Sequence, residues 1–218
     1  QAEILRRLEA CYPDAKPQLE YSTAFELLVA VMLSAQCTDV RVNMVTEELF
    51  ARFNKPEQFA AMEQEELLKM IKSCGLGPAK SKNIIATAKE LVEKHGGEVP
   101  SDIETLQTLP CVGRKTANVV ASVAFGVPAI AVDTHVFRVA NRTGLAAAKD
   151  VTNTEKQLME VIPKEKWSLA HHWLIWHGRR VCAARNPACD SCALSDVCSH
   201  ALERERETAK KLVPNSPC

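Results

Sequence analysis

The chain contains a lysine at a position where its amine could act as a nucleophile beside a bound phosphate. Pro110 and Gly113 mark a tight turn, and a helix closed by Gly126 is predicted over residues 116–125, with Lys115 at its start. Free backbone N–H groups and the macrodipole at a helix N-terminus attract phosphate. The same dipole disfavours a cation there, which favours a neutral and therefore nucleophilic amine. The turn alone favours a different interpretation, a solvated lysine in a helical corner, because Pro and Gly are common in turns of every kind.

Four cysteines near the end of the chain form a second candidate site. Cys182, Cys189, Cys192 and Cys198 have the spacing C-x6-C-x2-C-x5-C, so four thiolates could surround one metal centre. Four-cysteine zinc sites usually pair two C-x2-4-C segments across a longer spacer, whereas this chain has one C-x2-C. The spacing therefore favours an iron–sulfur cluster over zinc. The chain has nine cysteines and no recognisable signal peptide, so we expect metal-bound or free thiols instead of disulfides.

Helices must position these residues, because no alternation of apolar and polar residues persists long enough for a series of strands. The sequence predicts an all-α fold of about ten helices joined by short turns. Capping boxes, in which Ser or Thr is followed three residues later by Glu, predict helix starts at Thr23, Ser101 and Thr152. Asp133 is a favoured N-cap residue, so opening the helix that runs to Arg142 explains it without any catalytic role.

Composition restricts the classes of protein that this chain can belong to. Its 218 residues are 46% hydrophobic, which suits a globular protein, and no apolar run approaches the ~20 residues of a membrane span. The formal net charge is zero, so the chain lacks the overall basic field of many nucleic-acid-binding proteins. Any DNA binding would therefore depend on local patches and helix N-termini.

Three motifs together resemble the endonuclease III family of the helix-hairpin-helix superfamily. They are the turn at 109–117, the segment 131–139 with its Val-Asp-Thr-His run, and the C-x6-C-x2-C-x5-C cysteines. The resemblance extends over nearly the whole chain. It implies a bifunctional DNA glycosylase and abasic-site lyase that removes oxidised pyrimidines from duplex DNA in base-excision repair.

The resemblance also implies an architecture and a setting. A six-helix barrel lobe with the helix-hairpin-helix would span residues 17–127, and an iron–sulfur lobe would combine 1–16 with 128–218. DNA would lie in the cleft between the two lobes. The protein would be a monomer in the bacterial cytoplasm, associated with the nucleoid and not with a membrane.

By the same resemblance, Lys115 would attack the sugar C1′ and form a Schiff base, and Asp133 would assist departure of the base and later proton transfers. The damaged nucleotide would first be flipped out, because its reacting carbon is unreachable inside the duplex. Expelling a base builds positive charge on the sugar, which a nearby carboxylate stabilises. The imine would acidify a 2′ proton, so that the 3′ phosphate leaves by β-elimination.

The resemblance assigns further residues to the DNA and to a cofactor. Gln36 would fill the gap left by the flipped nucleotide, and Leu76 would be an apolar wedge between bases. Asp39 and His135 would line the base pocket. The backbone of Pro110, Cys111, Val112, Gly113 and Arg114 would hold a phosphate, and Cys182, Cys189, Cys192 and Cys198 would hold a mainly structural [4Fe–4S] cluster.

Two cysteines depart from the family pattern. Cys111 occupies a hairpin position where the family usually has glycine, and if that position needs a positive φ, a side chain there costs about 1 kcal/mol or more. It would also place a thiol near the DNA backbone. Cys111 is either an introduced crosslinking handle or a tolerated variant, and Cys218 has no family role that can be assigned.

Two other functions fit part of the pattern. The related adenine glycosylase that acts at mismatches shares the hairpin, the aspartate and the cluster. It lacks the hairpin lysine and carries an extra C-terminal domain, whereas this chain has Lys115 and stops soon after the cysteines. The second alternative is a helix-hairpin-helix DNA-binding module with a redox-sensing cluster and no enzymatic activity.

Overall fold

The computed structural model describes residues 1–212, with side chains up to residue 208. Over these residues all regular structure is helical, with twelve α-helices and three short 3-10 helices. The prediction of an all-α fold is therefore confirmed. No helix in this part of the chain is long and apolar enough to span a membrane. Cys218 lies outside the described residues.

The chain folds into two compact units, which we call the central unit and the terminal unit. The central unit is Pro17–Ala129, and the terminal unit combines Gln1–Lys16 with the chain from Ile130 onward. The helices of the central unit are α2 (Ala24–Leu33), α3 (Asp39–Arg52), α4 (Pro56–Ala60), α5 (Gln64–Ile71), α6 (Gly77–His95), α7 (Ile103–Leu106) and α8 (Arg114–Phe125), with a 3-10 helix at Lys72–Cys74. Those of the terminal unit are α1 (Ala2–Cys11), α9 (Thr134–Thr143), α10 (Val151–Val161), α11 (Trp167–Arg180) and α12 (Ser199–Leu212), with 3-10 helices at Lys164–Lys166 and Cys189–Ser191.

Helix α2 forms the centre of the central unit. Its residues are apolar around the whole circumference apart from Glu26, and all of them from Phe25 to Leu33 are buried. A helix with no polar face must be covered on every side, and α2 packs against α3, α6 and α8. Phe25 also meets Phe59 of α4 edge to face, with ring centroids 5.2 Å apart. The core therefore fixes α8, the helix that begins at the turn with Lys115.

The terminal unit has its own core, which is formed by the N-terminal helix together with helices that follow Ile130. Ile4 and Leu8 of α1 are buried in the same apolar cluster as Val136 of α9 and Leu174 of α11. Helix α11 packs against both α1 and α9. The N-terminal helix is therefore part of the scaffold that carries the cysteine motif.

Two helices begin at different residues from those that the capping boxes predict. Asp102 caps α7 in place of Ser101, and Asp150 caps α10 in place of Thr152. Each aspartate accepts a hydrogen bond of 2.8 Å from a backbone N–H three residues later. A carboxylate competes well for this position because its charge also interacts favourably with the positive end of the helix dipole. Thr23 does cap α2, as predicted.

Candidate functional site

The hairpin between α7 and α8 is held in place by two buried apolar residues and one hydrogen bond. Leu109 and Val112 belong to the core of the central unit, and Thr87 of α6 donates a hydrogen bond of 2.8 Å to the carbonyl oxygen of Pro110. Helix α8 then begins after Gly113, which has no side chain to cap it. The first backbone N–H groups of α8 therefore have no acceptor from their N-cap residue, and a bound anion can take that role.

Glycine at position 113 has no explanation within the fold. The backbone there has φ −81° and ψ 174°, a conformation that any residue can adopt. A Cβ placed on Gly113 would meet no atom of the protein within 4 Å. A ligand that closely approaches the backbone is a physical reason for glycine that the fold itself does not supply.

Lys115 is the second residue of α8, and its side chain is exposed. Within the described residues, its ammonium forms no hydrogen bond or ion pair. Arg114, also exposed, precedes it in the same turn. Two cationic side chains thus flank a helix N-terminus that already favours anions.

Three of the predicted DNA contacts share a strained backbone. Gln36, Leu76 and Cys111 have φ values of 54°, 51° and 61°, and all three are exposed. Cys111 therefore has the positive φ at which a side chain is expected to destabilise the backbone. Residue type does not predict the positive φ at Gln36 or Leu76, since neither is glycine or asparagine. Among the described residues only Asn186, in the cysteine segment, joins them as a non-glycine residue of this kind.

Asp133 is the N-cap of α9, as predicted, and is half-buried. Its Oδ1 accepts hydrogen bonds of 2.8 Å from the backbone N–H groups of both His135 and Val136. In the described part of the chain, no hydrogen bond reaches Oδ2. One oxygen therefore organises the helix start, while the other is available to a ligand.

The two residues predicted to line a base pocket lie at helix starts. Asp39 is the first residue of α3, which Thr38 caps, and His135 is the second residue of α9. Nη2 of Arg138 donates to Nδ1 of His135 at 3.1 Å, and the same guanidinium reaches the carbonyl oxygen of Cys182 at 3.0 Å. Arg138 therefore joins the start of α9 to the cysteine segment, a connection that the sequence does not indicate.

Helix α11 approaches α9 closely because Gly178 lies at the contact. A Cβ on Gly178 would stand 3.1 Å from the side chains of His135 and Val139. That is tighter than ordinary packing allows, so a larger residue would push the two helices apart. The position of His135 thus depends on a glycine that sequence patterns alone do not single out.

The four cysteines of the C-x6-C-x2-C-x5-C motif line a single small cavity. Cys182 and Cys198 are buried, and Cys189 and Cys192 are half-buried. Burial raises the pKa of the Cys192 and Cys198 thiols, and the neighbouring cysteines raise it further. Within residues 1–212, no three His, Cys, Asp or Glu side chains are arranged so that they could hold a single metal ion.

Two of the four sulfur atoms accept hydrogen bonds, while the thiol of Cys198 donates to the carbonyl oxygen of Arg142 at 3.3 Å. The backbone N–H of Leu194 donates to Sγ of Cys192 at 3.4 Å, and Nη1 of Arg142 donates to Sγ of Cys182 at 3.5 Å. Nε2 of His177 lies 3.6 Å from Sγ of Cys192, and burial lowers the pKa of His177 to about 4. The hydroxyl of Tyr12 lies 2.9 Å from Nδ1 of the same imidazole. Donors of this kind stabilise thiolates that ligate metals.

Comparison with known proteins gives a consistent result over most of the chain. Residues 29–164 match the HhH-GPD superfamily of base excision DNA repair proteins. The chain is 51% identical to Endonuclease III of Haemophilus influenzae over 198 residues, which cover 91% of this chain and 94% of that protein. It is 50% identical to Endonuclease III of Bacillus subtilis over 211 residues, covering 93% and 96%.

A solved structure of a trapped endonuclease III–DNA covalent intermediate has the same fold as this chain. The two agree with a TM-score of 0.90 at 48% sequence identity, over 94% of this chain and 97% of the other. That protein is similar to this chain in both sequence and structure.

The substitution Cys111→Gly should raise the free energy of unfolding by about 1 kcal/mol, because glycine adopts a positive φ without steric cost. Affinity for duplex DNA should stay the same or increase. Urea unfolding and fluorescence anisotropy measure the two effects. Cys111→Ala is the control, since it removes the thiol and its 3.0 Å contact with Asn83 Nδ2 but keeps the strained Cβ. A stability gain in the alanine variant and none in the glycine variant would refute the strain explanation.

Proposed function

The chain belongs to the HhH-GPD superfamily of base excision DNA repair proteins, and on this premise we propose that it is a bifunctional DNA glycosylase and abasic-site lyase. Its substrate class is duplex DNA with an oxidised pyrimidine or an abasic site. The single observation that carries the proposal is the exposed, unpaired Lys115 in the first turn of a helix whose N-terminus is uncapped. That arrangement combines an amine nucleophile with an anion site on adjacent residues.

The hairpin residues 110–114 would hold a phosphate of the DNA backbone through main-chain N–H groups, apart from Pro110, which has none, and Val112, whose N–H donates to the carbonyl oxygen of Leu109 at 3.1 Å. Such contacts position a protein on DNA without reading its sequence. The open space above Gly113 supports this role, because a phosphate there can approach the main chain without meeting a side chain. The zero net charge of the chain does not prevent DNA binding in this proposal, because the phosphate would be bound by a local site and not by an overall basic field.

Lys115 would attack C1′ of the flipped nucleotide as the base leaves with a proton. Breaking the bond between C1′ and the ring oxygen opens the sugar and gives an imine, which acidifies the 2′ proton. Removal of that proton then expels the 3′ phosphate. Asp133 would stabilise the positive charge that develops on the sugar. The availability of its Oδ2 supports this assignment, because the helix cap uses only Oδ1.

The other predicted DNA contacts remain part of the proposal. Gln36 and Leu76 would occupy the space opened in the duplex, and Asp39 and His135 would contact the extruded base. Strained, exposed backbone at Gln36 and Leu76 supports a functional role, because a fold retains such a cost of about 1–3 kcal/mol mainly at functional sites. The assignment of the two lobes, 17–127 and 1–16 with 128–218, and action as a monomer in the bacterial cytoplasm also stay predictions.

Cys182, Cys189, Cys192 and Cys198 would hold a [4Fe–4S] cluster. The residues fit this group, because all four cysteines line one cavity, and a backbone amide and a guanidinium donate to the sulfur atoms of Cys192 and Cys182. Four-cysteine zinc sites usually pair two C-x2-4-C segments across a longer spacer, whereas this chain has one C-x2-C, so the spacing favours the cluster over zinc. When bound, the cluster would crosslink the segment 182–198 and so support the terminal unit.

Borohydride reduction in the presence of abasic-site DNA should give a covalent adduct with this protein, and Lys115→Gln should abolish it. The reagent reduces an imine to a stable amine, so the adduct requires a lysine Schiff base. Denaturing gel electrophoresis detects the product. Lys89→Gln, a change at an exposed lysine of α6, is the control and should trap normally. Full trapping by the Lys115→Gln protein would favour another nucleophile, and no trapping by the wild type would favour the non-enzymatic DNA-binding module.

Asp133→Asn should keep the fold but slow removal of a damaged base by about 100-fold or more. Asparagine caps a helix as well as aspartate does, so the free energy of unfolding should stay close to that of the wild type. Asp133→Ala should lose both the base-removal rate and about 1 kcal/mol of stability. Single-turnover release of the base and urea unfolding separate the two roles. If the Asp133→Asn protein removed the base as fast as the wild type, the catalytic role of Asp133 would be refuted and only its role as a helix cap would remain.

The purified protein should be coloured and contain iron and acid-labile sulfide but no stoichiometric zinc. Cys192→Ala should lose most of the iron, whereas Cys111→Ser, at an exposed thiol outside the cavity, should retain it. Elemental analysis and the visible spectrum test both statements. A colourless protein that contains one zinc ion would exclude the cluster.

A further inference from the structure

Lys80, in the first turn of α6, is a buried lysine to which neither the motifs nor the mechanism assigns a role. The residue is 6% exposed, and its ammonium donates hydrogen bonds of 2.8 Å to the carbonyl oxygens of Leu33 and Cys74. Within the described residues it forms no ion pair with a carboxylate. Burying a charge without a counter-ion is costly, so the burial of this lysine requires an explanation.

Both acceptors lie at the ends of helices. Leu33 is the last residue of α2, and Cys74 is the last residue of the 3-10 helix Lys72–Cys74. Carbonyl groups at a helix C-terminus lack partners within the helix, and the negative end of the dipole attracts a cation. The Lys80 ammonium therefore caps two helix ends at once.

The chain that follows each of these ends forms a turn with a strained, exposed residue. Gln36 lies three residues after Leu33, and Leu76 lies two residues after Cys74. Their φ values are 54° and 51°, in the left-handed region that favours glycine. The backbone N–H of Lys80 also donates to the carbonyl oxygen of Leu76 at 3.0 Å. Lys80 thus holds the Leu76 turn at two points and the Gln36 turn at a third.

We propose that Lys80 is a positioning residue for opening the DNA duplex. Its ammonium fixes the Gln36 turn and the Leu76 turn relative to one another, so that a gap-filling side chain and an apolar wedge enter the base stack together. This inference rests on the proposed function, in which Gln36 and Leu76 contact DNA. Lys80 itself touches neither the substrate nor the reacting atoms.

The test compares a step that requires duplex opening with one that does not. Lys80→Met keeps the length of the side chain but removes its charge and its donors. Release of a damaged pyrimidine from duplex DNA should fall about tenfold or more, because an unstacked step must be held open. Borohydride trapping on single-stranded abasic DNA should stay within about twofold, since no duplex is opened there. Lys89→Met, at an exposed lysine of the same helix, should change neither rate.

A fluorescent base analogue beside the lesion gives a direct readout of unstacking. Its fluorescence should rise when wild-type protein binds and should rise much less with Lys80→Met. The double variant Lys80→Met/Leu76→Ala should be no worse than Leu76→Ala, because both changes affect the same step. Equal losses on duplex and single-stranded substrates, or additive losses in the double variant, would overturn the proposal.

Two further outcomes are separable from these. If Lys80→Met melts below the assay temperature, Lys80→Gln, which keeps one buried donor, must show the same selective loss on duplex DNA, and an unselective loss overturns the proposal. If the wild type itself fails to trap on abasic DNA, the proposed function is wrong. Normal trapping by the wild type and by Lys80→Met, with unimpaired duplex activity in both, leaves the function intact and refutes the role of Lys80.

Discussion

The N-terminus of α8, which no side chain caps, is the feature of the central unit on which the proposed DNA binding depends. Helix α8 starts after Gly113, so its first N–H groups receive no hydrogen bond acceptor from an N-cap side chain. Burial of Leu109 and Val112 fixes the hairpin that leads into the helix. The N-terminus of α8 is therefore held in place next to Lys115. An anion site made of main-chain groups suits an enzyme that must work at any DNA sequence, because phosphates are present at every position.

One face of α6 connects the three turns whose backbone is strained. Lys80, Asn83 and Thr87 are spaced at i, i+3 and i+7, so they lie on the same side of the helix. Lys80 holds the turns of Gln36 and Leu76, while Asn83 and Thr87 hold the hairpin through the Cys111 thiol and the Pro110 carbonyl oxygen. Helix α6 packs in turn against the buried α2. A rigid core thus maintains the positive φ values of these turns, which the proposed opening of the duplex requires.

Sequence patterns predicted the features that depend on neighbouring residues. The helical class, the hairpin and the four-cysteine motif follow from local spacing, and the structure places all four cysteines around one cavity. Helix starts were displaced by one or two residues where Asp102 and Asp150 competed with the predicted Ser and Thr caps. Lys80 was not predictable, because a lysine within a helix usually belongs to a solvated face and its partners are 47 and 6 residues away. The positive φ values at Gln36 and Leu76 were not predictable either, because glutamine and leucine rarely adopt that backbone conformation.

Asp133 shows why a structural and a catalytic interpretation of one residue need not compete. A carboxylate that caps a helix with one oxygen is held in a fixed orientation, and the second oxygen then faces its surroundings with its lone pairs unused. Arg138 binds His135 at the start of the same helix and the carbonyl oxygen of Cys182 in the cysteine segment. Anything that crosslinks the segment 182–198 therefore also stabilises the start of α9. The proposed cluster at the cysteines would in this way support Asp133 without taking part in the chemistry.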